Sequence, residues 1–247
     1  MLKTFSLTDI GLKRQLNQDY VFTSELPVGA LPNLFVVADG MGGHKAGELA
    51  SRFTVETIVE HITKSKETNP VIAIREAIQA ANTVIRDKAM SDESMEGMGT
   101  TVVVATCLGD ELCVANVGDS RLYIVNRDIR QITRDHSLVE EMVRMGSIEH
   151  DAVRMHPDKN IITRAIGASE EIEVDFFHKK LKYKDIVLMC SDGLTNMLDD
   201  EQIRMIICGQ RDIASMASEL IKAANQNGGK DNIAVIIVEP WIDEVDL

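Results

Sequence analysis

Four aspartates stand at the ends of apolar runs. Asp39 follows Leu34-Phe35-Val36-Val37-Ala38 and opens Asp39-Gly40-Met41-Gly42-Gly43-His44. Asp119 follows Leu112-Cys113-Val114-Ala115-Asn116-Val117-Gly118. Asp192 follows Ile186-Val187-Leu188-Met189-Cys190-Ser191, and Asp231 precedes Ile233-Ala234-Val235-Ile236-Ile237-Val238. One Asp-Gly after a strand usually marks only a turn. Four strand-end acids in one chain can meet at one rim if the strands share a core. Carboxylates gathered where water is scarce repel one another strongly. A hard cation relieves that repulsion, because every donor is oxygen. The reading is therefore a pair of magnesium or manganese ions.

The elements that must position these acids follow from hydrophobic period. Strands are expected over residues 2–8, 20–24 and the run ending at Asp39, then near 100–108, 111–118, 121–126, 130–133, 173–180 and 185–191, with a last strand after Asp231. Gly109-Asp110 reads as a two-residue hairpin. Helical spacing starts at Ala46, with Leu49, Phe53, Val55, Ile58, Val59 and Ile62 as the stripe. A second helix fits Pro70 to Met90 with Asn69 as its cap. Others fit a short segment capped by Ser137, then 199–208 and 212–226, the last ended by Gly228-Gly229. The pattern predicts an α+β protein, a sheet sandwich with helices outside. One domain is expected over 1–240, with an acidic tail at 241–247. Residues 135–170 interrupt the strands; after the short helix, Gly146 to Asn160 is charged, and an insertion of this length is commonly functional or mobile.

The 247 residues are 45% hydrophobic and 26% charged, enough for a sizeable core, and the formal net charge is -13. Such a surface repels nucleic acid and anionic lipid, so neither is an expected partner. Cys107, Cys113, Cys190 and Cys208 all read as small core residues, with no disulfide or zinc spacing. No leader-like or membrane-spanning run is found, which predicts a cytoplasmic protein.

Acids from distant places around two ions suit hydrolysis of phosphate esters. A water bridging the ions ionises near neutral pH and attacks phosphorus, while the ions neutralise the phosphoryl oxygens. Other phosphate machinery is missing, since neither G-x-x-x-x-G-K-[ST] nor G-x-G-x-x-G occurs.

The blocks Arg14-x-x-Asn17-Gln18-Asp19, Asp39-Gly40-Met41-Gly42-Gly43-His44, Gly97-Met98-Gly99-Thr100-Thr101, Asn116-Val117-Gly118-Asp119-Ser120-Arg121, Ser191-Asp192-Gly193-Leu194 and Asp231-Asn232 stand in one order. In that order the chain resembles the metal-dependent serine/threonine protein phosphatases of type 2C. Asp135-His136-Ser137, His156-Pro157 and Asn160-Ile161-Ile162-Thr163 resemble the bacterial branch. The resemblance runs from about residue 2 to 239.

It implies a central antiparallel β-sandwich of two sheets flanked by helices on both faces, with 136–165 as a flap beside the site. It implies that Asp39 bridges two ions, touched also by the Gly40 carbonyl, that Asp192 and Asp231 complete the second, and that Asp119 with Asp192 forms a third, weaker site. Asp19 holds metal-bound water, and Arg14 grips the substrate phosphate with its planar fork of donors. Many members carry histidine where this chain has Met41, which cannot donate a proton. His44 is the substitute candidate, with bound water as the alternative. The implied substrates are phosphoserine and phosphothreonine in proteins, with a bacterial Ser/Thr kinase as opposing partner and the chain acting as a monomer. A non-catalytic phosphoprotein-binding module on the same fold is the rival from another class. Such a module would be expected to lose the acids, and all four are present.

Overall fold

The computed structural model describes residues 2–43 and 45–240. Eleven strands in these residues form two antiparallel sheets. The first contains β1 (Lys3–Asp9), β7 (Arg121–Val125), β8 (Ile129–Gln131), β10 (Ile186–Cys190) and β11 (Ile233–Glu239), in the order β1-β11-β10-β7-β8. The second contains β2 (Asp19–Ser24), β3 (Leu34–Met41), β5 (Val102–Leu108), β6 (Glu111–Val117) and β9 (Asp175–Lys180), in that order, and β4 (Gly99–Thr100) pairs with the end of β3.

The continuous apolar runs are explained by burial on both faces. In β3, Phe35 and Val37 face the opposite sheet and share a core with Leu122, Val187, Met189 and Ile236. Their neighbours Val36 and Ala38 point outward onto α1 (Ala46–Lys64) and α2 (Pro70–Ser91), against Ile58, Ile62, Ile74 and Ile78. On the other side Tyr123, Leu188 and Val235 pack under α4 (Asp192–Thr195), α5 (Asp200–Gly209) and α6 (Ile213–Gln226). The layers are therefore helix, sheet, sheet, helix, as expected. Local signals hold too. Asn69 accepts from the Val71 amide, Ser137 accepts from Glu140 to cap α3 (Leu138–Arg144), and Leu108 pairs with Glu111 across the Gly109-Asp110 turn.

Some boundaries differ. The strand expected over 100–108 breaks at Thr101. The Thr101 amide turns to the Asp39 carbonyl (2.9 Å), and its hydroxyl meets Ser120 (2.7 Å). The third strand runs on through Gly40 and Met41, because β4 pairs with both. Cys107, Cys113 and Cys190 are buried as expected, but Cys208 is exposed, its thiol donating to the Asn126 carbonyl. Helical period places Cys208 at the margin of the α5 stripe, not under it. No helix in the described residues is long and apolar enough to cross a membrane.

Candidate active site

The rim where the two sheets meet gathers the predicted acids. Asp19 on β2 lies directly across from Asp39 on β3. Like charges so paired destabilise a sheet unless something intervenes. The charges of Asp19 and Asp192 both bear on Asp39, so the three carboxyls lie close together. Asp192 is the first residue of α4, and its Oδ2 accepts from the Asn196 amide at 2.9 Å. Asp119 lies in the bend after β6. There Gly118 takes φ +103°, and a Cβ on it would stand 2.6 Å from the Thr101 side chain. Asp231 immediately precedes Asn232 and β11.

Burial pushes all four central acids up. Asp39 is held well above the carboxylate range, first by burial, then by the charges of Asp19, Asp192 and Asp119. Asp19 is raised to about 7 by burial, against the lowering hydrogen bond from Ser191. Asp119 rises to about 8 through burial and the Asp192 charge. Asp192 is raised by burial and by Asp231. Charge is thus concentrated where solvation is poor, and protons or cations must relieve it.

Supporting contacts explain why these acids stay together. The Asp39 amide donates to the Thr101 hydroxyl (3.1 Å), which meets Ser120 beside Asp119; one short block therefore ties two acids. The Ser191 hydroxyl donates to Asp19 Oδ2 at 2.7 Å and accepts from the Ala234 amide at 2.9 Å, joining the two sheets at the rim. Asn232 is 3% exposed. Its Oδ1 accepts from the Gln18 amide and its Nδ2 donates to the Ile10 and Leu16 carbonyls, all at 2.9 Å. That side chain shapes the loop that presents Arg14. The Gly40 amide donates to the Gln18 carbonyl, and a Cβ on Gly40 would lie 1.9 Å from the Gly47 carbonyl oxygen. Only glycine fits there.

Arg14 reaches across to Asp231, donating from Nη2 to Oδ2 at 2.7 Å. That hydrogen bond is the main reason the guanidinium is held above its ordinary value. Arg14, Asp39, Gly40, Met41, Asp119, Lys159, Asp192 and Asp231 line one cavity of about 510 Å³. All the predicted residues in the described segments except Asp19 thus open onto one space, with Asp19 buried beside Asp39 across the strand pair. His44 lies outside the described residues. Among the described residues no three acid, imidazole or thiol groups form a ready-made chelating set. The donors are nonetheless of one kind. All are oxygens of carboxylates or a backbone carbonyl; burial and mutual repulsion raise Asp39, Asp119 and Asp192, and one buried Asp19 oxygen has no hydrogen-bond partner. That chemistry fits hard divalent cations, once Asp231 turns from Arg14.

Sequence reasoning passed over Ser191, Asn196 and His136 as site residues. His136 is buried at the base of the flap. Its Nδ1 accepts from the Gly118 amide (3.0 Å), its own amide donates to the Gly118 carbonyl, and its carbonyl accepts from Thr163. It faces Arg164 and Asp175 on its other side. Burial lowers its pKa, so the neutral ring that accepts from Gly118 is favoured. The Asp-His-Ser block was visible in the sequence, but its contact with Gly118 was not.

Comparison with known proteins agrees with this geometry. A profile of the family described as Protein phosphatase 2C matches residues 12–237. The serine/threonine phosphatase stp of Listeria welshimeri is 41% identical over 214 residues, covering 83% of this chain and 84% of that protein. Among solved structures, the S. agalactiae serine/threonine phosphatase superposes with a TM-score of 0.91 at 36% identity, covering 98% of this chain and all of that one. The catalytic domain of the serine/threonine protein phosphatase PstP, solved with two manganese ions, gives 0.85 at 30% identity, covering 96% and 97%. The chain belongs to the protein phosphatase 2C family and is a protein serine/threonine phosphatase.

Proposed function

We propose that this chain hydrolyses phosphoserine and phosphothreonine in proteins with two divalent ions, manganese or magnesium, held by Asp39, the Gly40 carbonyl, Asp192 and Asp231. Asp119 with Asp192 forms a third, weaker site. The observation that carries this reading is the meeting of acids from separate strands at one rim: Asp19 lies across from Asp39 in the strand pair, and Asp39, Asp119, Asp192 and Asp231 line one cavity. When bound, the ions neutralise charge on the phosphoryl oxygens and make water a stronger acid at neutral pH.

The chain's own residues do the rest. Asp19 is anchored by Ser191 and lies across the strand pair from Asp39, which suits it to orient water there. Asn196 fixes the rotation of the Asp192 carboxylate. Arg14 holds Asp231 through one of its nitrogens. In the working enzyme its fork turns to the substrate phosphate, which offers two oxygens to it. Met41 lines the cavity and has no proton to give. His44 is proposed on the substrate side as donor to the leaving alkoxide, with bound water as the other source. The enzyme is proposed to act as a cytoplasmic monomer that opposes a Ser/Thr kinase.

The test is phosphate release from a phosphothreonine peptide with added manganese or magnesium, against a chelator control, for wild type and Asp192→Asn. Release that requires metal and is lost in Asp192→Asn is expected. Equal release in chelator would overturn the proposal.

A further inference from the structure

The far end of the sandwich carries the opposite charge. β7 leaves the Asp119 bend and ends at Val125, just before Asn126, while β10 begins at Ile186, just after Asp185, and ends at Cys190, just before Ser191-Asp192. The turns at 126–128 and 182–185 are therefore one strand away from the acids, five residues in each case, or about 17 Å. Asn126 stitches the two turns together. Its Nδ2 donates to the Tyr183 carbonyl (3.1 Å) and to Asp185 Oδ1 (2.9 Å), and Asp185 Oδ2 accepts from the Lys182 amide (2.8 Å). Between the turns lies a cavity of about 470 Å³.

Arg127, Arg130, Lys182 and Lys184 line it, all exposed. None of the four has an ion pair among the described residues; the Lys184 ammonium rests over the Tyr183 ring at 5.0 Å. Of the two acids in the lining, Asp185 is buried and spent on the hydrogen bonds just given, which leaves Asp128. On a chain of net charge -13 this concentration of cation is unusual. The backbone adds an independent sign. Lys184 takes φ +65°, the one non-glycine with positive φ among the described residues. Side chains adopt that conformation at a cost of roughly 1 kcal/mol, and such strain collects at functional positions.

We propose that this cavity is a docking site for a second phosphoryl group, carried on a phosphorylated segment of the protein substrate away from the residue being hydrolysed. The kind of partner rests on the phosphatase reading; the anion site itself does not. Two guanidinium and two ammonium groups around a concavity match a compact dianion with several acceptor oxygens. An anionic membrane fits less well. Membrane-facing surfaces combine cations with exposed apolar side chains, and none of the exposed large hydrophobic residues lines this cavity. An extended segment needs at least about six residues to span the distance to the acids.

The test uses manganese-loaded enzyme and two synthetic peptides, one with a single phosphothreonine and one with two set about twelve residues apart. Wild type is expected to favour the doubly phosphorylated peptide in kcat/KM by about tenfold, and Arg130→Gln/Lys182→Gln to lose that preference while hydrolysing the single one unchanged. A labelled peptide bearing a non-hydrolysable phosphonate, followed by anisotropy in chelator, reads the same site without turnover and should bind wild type more tightly than the double variant. No preference in wild type, or a preference that survives in the variant, overturns the proposal. So does pelleting of wild type, but not the variant, on phosphatidylserine vesicles with no difference in the peptide arms. If the enzyme fails to turn over any peptide, the phosphatase reading falls and the anisotropy still decides the anion site.

Discussion

Removing divalent ions should make this protein less stable as pH rises, and the acid rim sets the size of the effect. Asp19 has an ordinary value of 3.8 and is raised to about 7 in the fold, chiefly by burial. A carboxyl whose folded value lies above its unfolded one contributes stability that is fully present below the unfolded value. That stability is lost as pH climbs through the folded value. The relevant window therefore runs from about pH 4 to about pH 8. At about 1.4 kcal/mol per tenfold, the Asp19 contribution is on the order of 4 kcal/mol. Asp39, Asp119 and Asp192 move the same way, but the charges of these acids act on one another, so their contributions do not add. For a chain of this size the loss corresponds to roughly 8–16 °C in Tm. His136 works in the opposite sense, since its value is lowered by burial and folding is favoured as it loses its proton. Comparing wild type with Asp19→Asn in chelator removes that background, because asparagine keeps an acceptor for Ser191 and does not titrate. Thermal melts across the window should show the wild-type curve falling relative to Asp19→Asn, and added manganese should flatten it. Parallel curves for the two proteins in chelator would refute the reasoning.

Asn232→Ala should cost about 2–4 kcal/mol in urea unfolding, since it removes the three hydrogen bonds from Asn232 to the Gln18 amide and the Ile10 and Leu16 carbonyls. Its KM should rise as the Arg14 loop loosens; an unchanged midpoint would remove the loop-holding role. Gly40→Ala should fold poorly or lose activity, because its Cβ would meet the Gly47 carbonyl at 1.9 Å. Backbone must shift there by an amount that disturbs Asp39, and wild-type activity in this variant would contradict the close packing. His136→Leu should cost about 2–3 kcal/mol by stranding the Gly118 amide. It should also raise the manganese concentration needed for activity, whereas His136→Asn, which restores an acceptor, should recover part of both; equal behaviour of the two variants would show that the ring only fills space.

Local patterns carried much of the way. The apolar runs of β3, β6, β10 and β11 are long because both faces are buried, so their strand character and the acids at their ends are written into consecutive residues. Asn69 and Ser137 cap the helices they precede through contacts two or three residues away. Gly97 to Thr101 stood out as a block without a role. Its role came only from Thr101 meeting both Asp39 and Ser120 across two strands. Cys208 misled because its apolar neighbours look the same from either side of a helix margin.

The sequence by itself determined the donor chemistry, an all-oxygen set of aspartates at strand ends, and the sandwich that brings them to a rim. Both depend on side-chain type and on period, which are local properties. Tertiary structure alone decided which groups meet. Asp19 faces Asp39 through strand register, Arg14 reaches Asp231 across 217 positions, and Ser191 joins the sheets through Asp19 across 172. Electrostatics followed the same division. Net charge was readable at once, but the upward shift of the acids required burial, and burial exists only after distant segments pack.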